Sequence, residues 1–448
     1  MKKLAFLFAL FISTSIVYAQ QISNEIKDNI KKRVDYGDNV GIVVALVDGE
    51  KVDYFYYGKT ALENGTPVNG NSVFEIGSIS KVFTTIILAD EVEKGTMKLS
   101  DPISKYLPKD VKVPTRNEKE ITLKDLATHT SALPRMPSNF APKNPLNPFA
   151  DYSVEQLYAF LNSYTLTRDI GARYEYSNLA MGLLGHILEL HTGKSYEELI
   201  IERIATPYKM SETKMEMTDK MKAQLAKGHS GSLHMPTWDF MTLGSAGGIK
   251  STLNDMVKFI QANMINDHKS IHKAMVASHQ TAYKGDNDFS IGLGWHYLKR
   301  GDGKKIIWHN GQTGGYTAFT GFVEGTTKGV VVLTNSIEAV NDIGFKLLDE
   351  SRKIRIPTKP FEVDNAVLES YVGKYELVPT FQINITKNKG QLFLQATGQS
   401  KFQVFPSSEN TFYLKVVKAS ITFNKDENGK IKSLTLHQGG QDREAKRL

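Results

Sequence analysis

Val73-Phe74-Glu75-Ile76-Gly77-Ser78-Ile79-Ser80-Lys81-Val82-Phe83 is the stretch on which the fold of this chain turns. Val73 to Ile76 is apolar and extended, Gly77 breaks it, and Val82, Phe83, Ile86, Ile87, Ala89 and Val92 then recur at helical spacing until Gly95. Ser78 therefore stands at a strand-to-helix turn. Lys81 follows three residues later, and because i and i+3 are neighbours on a helix, hydroxyl and amine share one face. Burial in so apolar a helix would lower the amine's pKa and make it a plausible base. Ser-x-x-Lys also occurs at Ser211 to Lys214 and Ser270 to Lys273, but neither copy follows an apolar extended segment and a glycine.

A second proton carrier is expected opposite the first. Tyr-x-Asn occurs once, at Tyr176-Ser177-Asn178, just before a helical pattern beginning at Leu179; the plainer alternative is a helix cap, with Ser177 or Asn178 satisfying backbone donors. His-x-Gly occurs at His191, His229, His309 and His437, and position separates the copies. His309-Asn310-Gly311 follows an expected strand, Lys304 to Trp308, and leads into Gln312-Thr313-Gly314-Gly315-Tyr316, where glycines let a substrate lie against backbone N–H groups. The plainer reading of His309 is a partly buried histidine packed on the sheet. If its pKa is ordinary, its charge changes between about pH 5 and 8.

Outward from these motifs, Gly41 to Val47, Asp48-Gly49 and Lys51 to Tyr57 read as a hairpin. Helical spacing recurs at 122–129, 154–164, 179–191, 196–204 and 252–264, with a proline-rich loop over 134–148. Strands are expected at 292–297, 304–308, 316–323 and 329–335, then a helix over 342–354; helices grouped on an antiparallel sheet make this part α+β. After Pro357 to Pro360, short alternating segments separated by Asn-Lys-Gly and Asn-Gly turns predict a separate small antiparallel barrel or sandwich over 361–448.

Lys2 and Lys3 precede an apolar run from Leu4 to Val17 that ends in small residues, which predicts a signal peptide over 1–19 and a periplasmic or secreted protein. The run is shorter than the roughly 20 apolar residues of a membrane span, and no second one follows, so no transmembrane segment is expected after cleavage. With no cysteine, stability must come from a packed core rather than disulfides. The 55 Lys and Arg against 48 Asp and Glu are scattered, which reads as a solvated surface rather than a nucleic-acid partner. The 11 histidines include no His-Glu-x-x-His and no carboxylate cluster, and no phosphate loop is present, so neither metal nor cofactor is expected. Oligomeric state is left open.

Taken together, Phe74 to Lys81, Tyr176-Ser177-Asn178 and His309-Asn310-Gly311 resemble the three active-site motifs of the class C β-lactamase family, which includes D-alanyl-D-alanine carboxypeptidases, D-aminopeptidases and esterases. The likeness spans roughly residues 35 to 350 and extends to Ile121 to Pro134 and Ala246 to Thr252. It implies a β-lactamase-like transpeptidase fold over 20–356, an antiparallel sheet flanked by helices with a helical subdomain; the C-terminal part resembles appended lipocalin-like domains. It further implies Ser78 as nucleophile, Lys81 as proton acceptor and Tyr176 as general base, then acid. Asn178 would bind the substrate amide, and the N–H groups of Ser78 and Gln312 would form an oxyanion hole, with His309, Asn310 and Gly311 lining the site. Two departures stand out: the family's β-lactamases carry Lys-Thr-Gly where this chain has His309-Asn310-Gly311, and Arg135-Met136 stands near where they place a substrate-binding amide. Both point to weakened β-lactam hydrolysis. The expected activity is hydrolysis through an acyl-enzyme on a β-lactam, D-amino-acid peptide or small ester; the alternative is a non-hydrolytic penicillin-binding or ligand-sensing protein.

Overall fold

The structure is a computed structural model that describes residues 21–286, 289–399, 401–415 and 417–448. The signal peptide expected over 1–19 lies outside the described residues. Five helices frame the larger part: α1 (Asn24–Asp35), α2 (Ser80–Glu93), α3 (Asn178–Thr192), α4 (Leu253–Met264) and α5 (Asn341–Leu348). Its sheet is built from β1 (Gly41–Asp48), β2 (Lys51–Gly58), β3 (Tyr283–Lys284), β4 (Ser290–Ile291), β5 (His296–Lys299), β6 (Lys305–Gln312), β7 (Thr317–Val323) and β8 (Lys328–Thr334). These pair antiparallel in the order β2-β1-β8-β7-β6-β5-β4-β3.

Strand parity makes this sheet the middle of three layers. On β1, Ile42, Val44 and Leu46 join a core with Ile26 and Ile30 of α1 and Ile343 and Leu347 of α5. Val43, Ala45 and Val47 face the other way, into the larger core with Phe83 and Ile86 of α2 and Val257 and Phe259 of α4. Each such side chain taken fully out of water contributes about 1.5–3 kcal/mol. The helix α2 is buried along almost its whole length, from Ser80 to Glu91, as an apolar-all-round sequence requires. It crosses the centre of the domain, with Phe83 stacked on Phe259 at 4.2 Å. The helical subdomain, carrying Leu123–Ala127, Val154–Ser163 and α3, covers its other side. The α+β architecture, helices on both faces of an antiparallel sheet with a helical subdomain, is thus as expected.

Two strands differ from their sequence-based limits, with consequences for the site. Residues 292–295 form a turn rather than a strand, closed by Gly292 N–H donating to Trp295 O at 2.9 Å, with Gly294 at φ +74°. The strand after Lys304 does not stop at Trp308 but continues through Gln312, so His309-Asn310-Gly311 lies within it. Gly311 did not end the strand because it pairs with Ala318 across an unbroken register.

The C-terminal part is a closed eight-stranded barrel running from Gly373–Val378 to Gln441–Arg447, around its own core of Tyr371, Tyr375, Ile385 and Phe423. It docks on the larger part through polar contacts: Ser232 N–H donates to Gln403 Oε1 at 2.7 Å, and Lys415 Nζ lies 2.5 Å from Asp38 Oδ1. Arg355 also pairs with Asp38, at 2.8 Å. Among the described residues no helix is long and apolar enough to cross a membrane.

Candidate active site

Gly77 to Ile79 form a single 3₁₀ turn that hands the chain from Val73–Glu75 into α2. Gly77 adopts φ +51°, and a Cβ there would lie 2.7 Å from Gln312 N. From the other side, a Cβ on Gly311 would meet Ile76 O at 1.9 Å and Ser78 N at 3.2 Å. Two glycines thus let β6 press backbone to backbone on the turn that carries Ser78. This contact sets the N–H groups of Ser78 and Gln312 side by side.

Ser78 is half-buried and reachable, whereas Lys81 is fully buried. Lys81 Nζ lies 3.0 Å from Ser78 Oγ and donates to Ala246 O at 2.6 Å. The glycine-rich run Gly244-Ser245-Ala246-Gly247-Gly248 positions this carbonyl. Gly244–Ala246 make a 3₁₀ turn pressed on α3, where Gly182 and Gly185 leave room for Leu243 and Ser245. Ser245 Oγ donates to Met181 O at 2.8 Å, and Thr84 Oγ1 to Ser245 O at 2.8 Å, so the Ala246 carbonyl is rigidly held. Burial, and then the charge of Arg135, holds the Lys81 amine well below its usual pKa of 10.5. A neutral amine can donate to Ala246 O while its lone pair faces the Ser78 hydroxyl.

Tyr176 faces the Ser78–Lys81 pair, its ring centroid 4.8 Å from Lys81 Nζ. Burial pushes its phenol up to about 12, against the opposing pull of the neighbouring Ser78 hydroxyl and of Arg135. It is a phenol, not a phenolate, at neutral pH. Ser177 caps α3, accepting from Ala180 N and donating to Pro134 O at 2.6 Å, and its own N–H donates to His129 Nδ1 at 3.1 Å. The expected cap is thus present, and its bonds to Pro134 and His129 fix the backbone on which Tyr176 stands. His129 and Ala132 hold positive φ of 58° and 63°, backbone strain that the packing around this loop enforces.

His309 is brought to the site, but not in the form expected. Alternation along β6 turns His309 with Ile307 and Gly311 toward α2, and Asn310 with Trp308 toward the opposite face. The Asn310 side chain is thus not directed with the others; its carbonyl, 2.6 Å from His309 Nδ1, fixes the imidazole. His309 is 1% exposed, and burial, His296 and Lys81 all press its pKa well below 6.5. The expectation of an ordinary imidazole is overturned: burial above all, with His296 and Lys81 beside it, disfavours the charged form, so His309 is neutral at neutral pH. Asn178 sits at the first turn of α3, its Nδ2 3.6 Å from Met136 Sδ, and Gln312 is exposed at the end of β6.

Sequence reasoning missed three neighbours. His129 and His296 pack around Tyr176 at ring distances of 4.6 and 6.4 Å, and His296 lies 4.9 Å from His309. Glu75 is buried behind the Gln312 loop, accepts from Trp238 N–H at 2.6 Å, and is pushed up to about 7 by burial. His129 stood in a quoted motif, but nothing in the sequence paired it with Tyr176. Ser211 and Ser270 are elsewhere: Ser211 sits in a turn against Glu212, and Ser270 is exposed at the start of a separate helix. No group of three or more metal-ligating side chains occurs among the described residues.

This geometry agrees with a sequence match: a model of the beta-lactamase family covers residues 26–342. The chain belongs to the beta-lactamase family. It is a serine hydrolase of that family, with a second match, to a domain of unknown function, over residues 358–447 that form the barrel. The D-alanyl-D-alanine-carboxypeptidase/endopeptidase AmpH of Escherichia coli strain K12 is 31% identical over 344 residues, covering 72% of this chain and 88% of that protein. A beta-lactamase of the same strain is 26% identical over 352 residues, covering 70% and 89%. The solved beta-lactamase/D-alanine carboxypeptidase of Yersinia pestis, complexed with citrate, superposes with a TM-score of 0.60 at 27% identity, covering 70% of this chain and 92% of that one.

Proposed function

We propose that this chain is an exported hydrolase that forms an acyl-enzyme on Ser78 and acts on D-alanyl-D-alanine-type peptides, with β-lactams and small esters as alternative acyl donors. The observation that carries the reading is the buried Lys81 amine 3.0 Å from Ser78 Oγ. In the acylation step Lys81 takes the Ser78 proton as Oγ attacks the carbonyl carbon. The N–H groups of Ser78 and Gln312 receive the oxyanion, and one such donor is worth about 10²–10³ in rate. Tyr176, its ring beside Lys81, passes a proton to the departing nitrogen or oxygen and is reprotonated from the Lys81 ammonium. Deacylation runs the same relay in reverse, with water in place of the leaving group.

Preference for a peptide over a β-lactam is supported by the 31% identical relative named as a D-alanyl-D-alanine-carboxypeptidase/endopeptidase. It is further supported by the neutral His309, where the family's β-lactamases place a lysine. Export rests on the apolar, lysine-led stretch at residues 2–17. The experiment is intact mass after exposure to a penicillin, a D-Ala-D-Ala peptide and a p-nitrophenyl ester, with product release followed in parallel. An acyl adduct on wild type that Ser78→Ala lacks, with turnover of the peptide, is the expected result. Hydrolysis of every substrate by Ser78→Ala at the wild-type rate would end the assignment. A stable penicillin adduct with no turnover of any substrate would move the chain to the penicillin-binding alternative.

A further inference from the structure

The charges around Ser78 are unevenly distributed. Lys81 is committed to Ser78 and Ala246, and His309, His296 and His129 are all held neutral by burial. That leaves Arg135. Its backbone is fixed on the first turn of α3, its carbonyl accepting from Asn178 N–H at 3.0 Å and Leu179 N–H at 3.3 Å. Its guanidinium carbon lies 5.1 Å from the Tyr176 ring centroid, and Arg135 itself is exposed.

Among the described residues Arg135 has no carboxylate partner. Glu175, the residue before Tyr176, is already held by Arg168 and Arg173, each at 3.2 Å. An exposed guanidinium over the Tyr176 ring, with no carboxylate of its own, is open to an anionic group entering the cleft. Arginine is also the side chain best shaped for bidentate binding of a carboxylate. Its position on the Tyr176–Asn178 wall, rather than on the β6 wall, decides which half of the substrate it meets. Asn178 is the residue implied to bind the substrate amide, so this wall flanks the acyl-donating half.

We propose that Arg135 forms a carboxylate-binding subsite on the acyl-donor side of the Ser78 cleft, so that the chain selects substrates whose acyl portion carries an anionic group. The inference rests on the acyl-enzyme reading above. It names a shared chemistry with two sources: an acidic residue in a peptide, or a carboxylated side chain on a β-lactam.

The test compares p-nitrophenyl valerate with mono-p-nitrophenyl glutarate, acyl chains of like length that end in methyl and carboxylate. The readout is the ratio of kcat/KM for the anionic over the neutral ester in wild type, Arg135→Gln and Arg135→Lys. Any change in the Lys81–Tyr176 relay acts on both esters and cancels in this ratio. The ratio is expected to fall about tenfold in Arg135→Gln, mostly through KM for the anionic ester, and to be partly restored in Arg135→Lys. High salt should compress the wild-type ratio and leave that of Arg135→Gln unchanged. Matched acidic and neutral peptides, and matched carboxylated and neutral penicillins, then show which source carries the same loss. An equal ratio in wild type and a folded Arg135→Gln, with both esters turned over, overturns the subsite while leaving Ser78 chemistry intact. Failure of wild type to form an adduct with either ester overturns the acyl-enzyme reading itself.

Discussion

Replacing Gly311 by alanine tests whether the contact between two backbones builds the oxyanion site. The added Cβ would sit 1.9 Å from Ile76 O and 2.8 Å from Ile76 C. A carbon rests against a carbonyl oxygen at roughly 3.3 Å, so β6 and the Ser78 turn must separate by about 1.4 Å. Neither atom belongs to a flexible side chain, and overpacking of this kind costs about 1–3 kcal/mol of stability. The catalytic cost is larger. An oxyanion donor works over roughly 2.7–3.1 Å, so a separation of that size removes the Gln312 N–H, lowering the acylation rate about 10²–10³-fold. Stopped-flow acylation by a p-nitrophenyl ester, read beside a thermal melt, separates the two effects. A Gly311→Ala protein that acylates at the wild-type rate would refute the claim that Gln312 shares the oxyanion with Ser78. Gly77→Ala makes a useful companion, because it adds about 1–2 kcal/mol for a left-handed alanine at φ +51° to a clash 2.7 Å from Gln312 N.

Two more outcomes follow from buried charge. Lys81 has its pKa lowered by burial and by Arg135, so kcat/KM for a neutral ester should rise with pH along an acid limb well below 10.5 and level off while Tyr176, at about 12, stays protonated. A limb at or above 10.5 would mean that Lys81 is an ammonium at neutral pH and cannot accept the Ser78 proton. At the barrel interface, burial alone would raise the Asp38 pKa, but the hydrogen bonds and charges of Lys415 and Arg355 outweigh it and lower it below 3.8. The stability it contributes is therefore present above pH 3.8 and is lost as pH falls through the lowered folded value. Lys415→Met should destabilise by less than the roughly 3–5 kcal/mol of a fully orphaned buried charge, because Arg355 still pairs with Asp38, 2.8 Å away. Calorimetry of both proteins should show the gap close in acid; a gap constant from about pH 7 to about pH 3 would show that Lys415 acts through packing alone.

Much of this molecule is legible in the sequence because its signals are local. The run from Val73 to Val92 announces an extended segment, a glycine turn and a buried helix, and i, i+3 spacing alone puts Ser78 beside Lys81. Asp48-Gly49 sets the first hairpin, and alternation after Pro360 gives an antiparallel β domain, because turn chemistry and strand parity depend only on near neighbours. What the sequence left open depends on residues far apart in the chain. It read β6 as ending at Trp308, since a glycine within a strand looks like a stop until its partner, Ala318, is known. It allowed His309 to titrate, since burial and the crowding of Lys81 and His296 are sums over elements distant in the chain. It read Tyr176-Ser177-Asn178 either as a helix cap or as the carrier of a second proton donor, and only the fold shows that Ser177 makes the cap while His129 and Pro134 are brought to the same helix start. Charge states, the backbone pair behind the oxyanion and the unpartnered Arg135 are properties of packing, because each is fixed by what the tertiary structure removes from water or leaves in it.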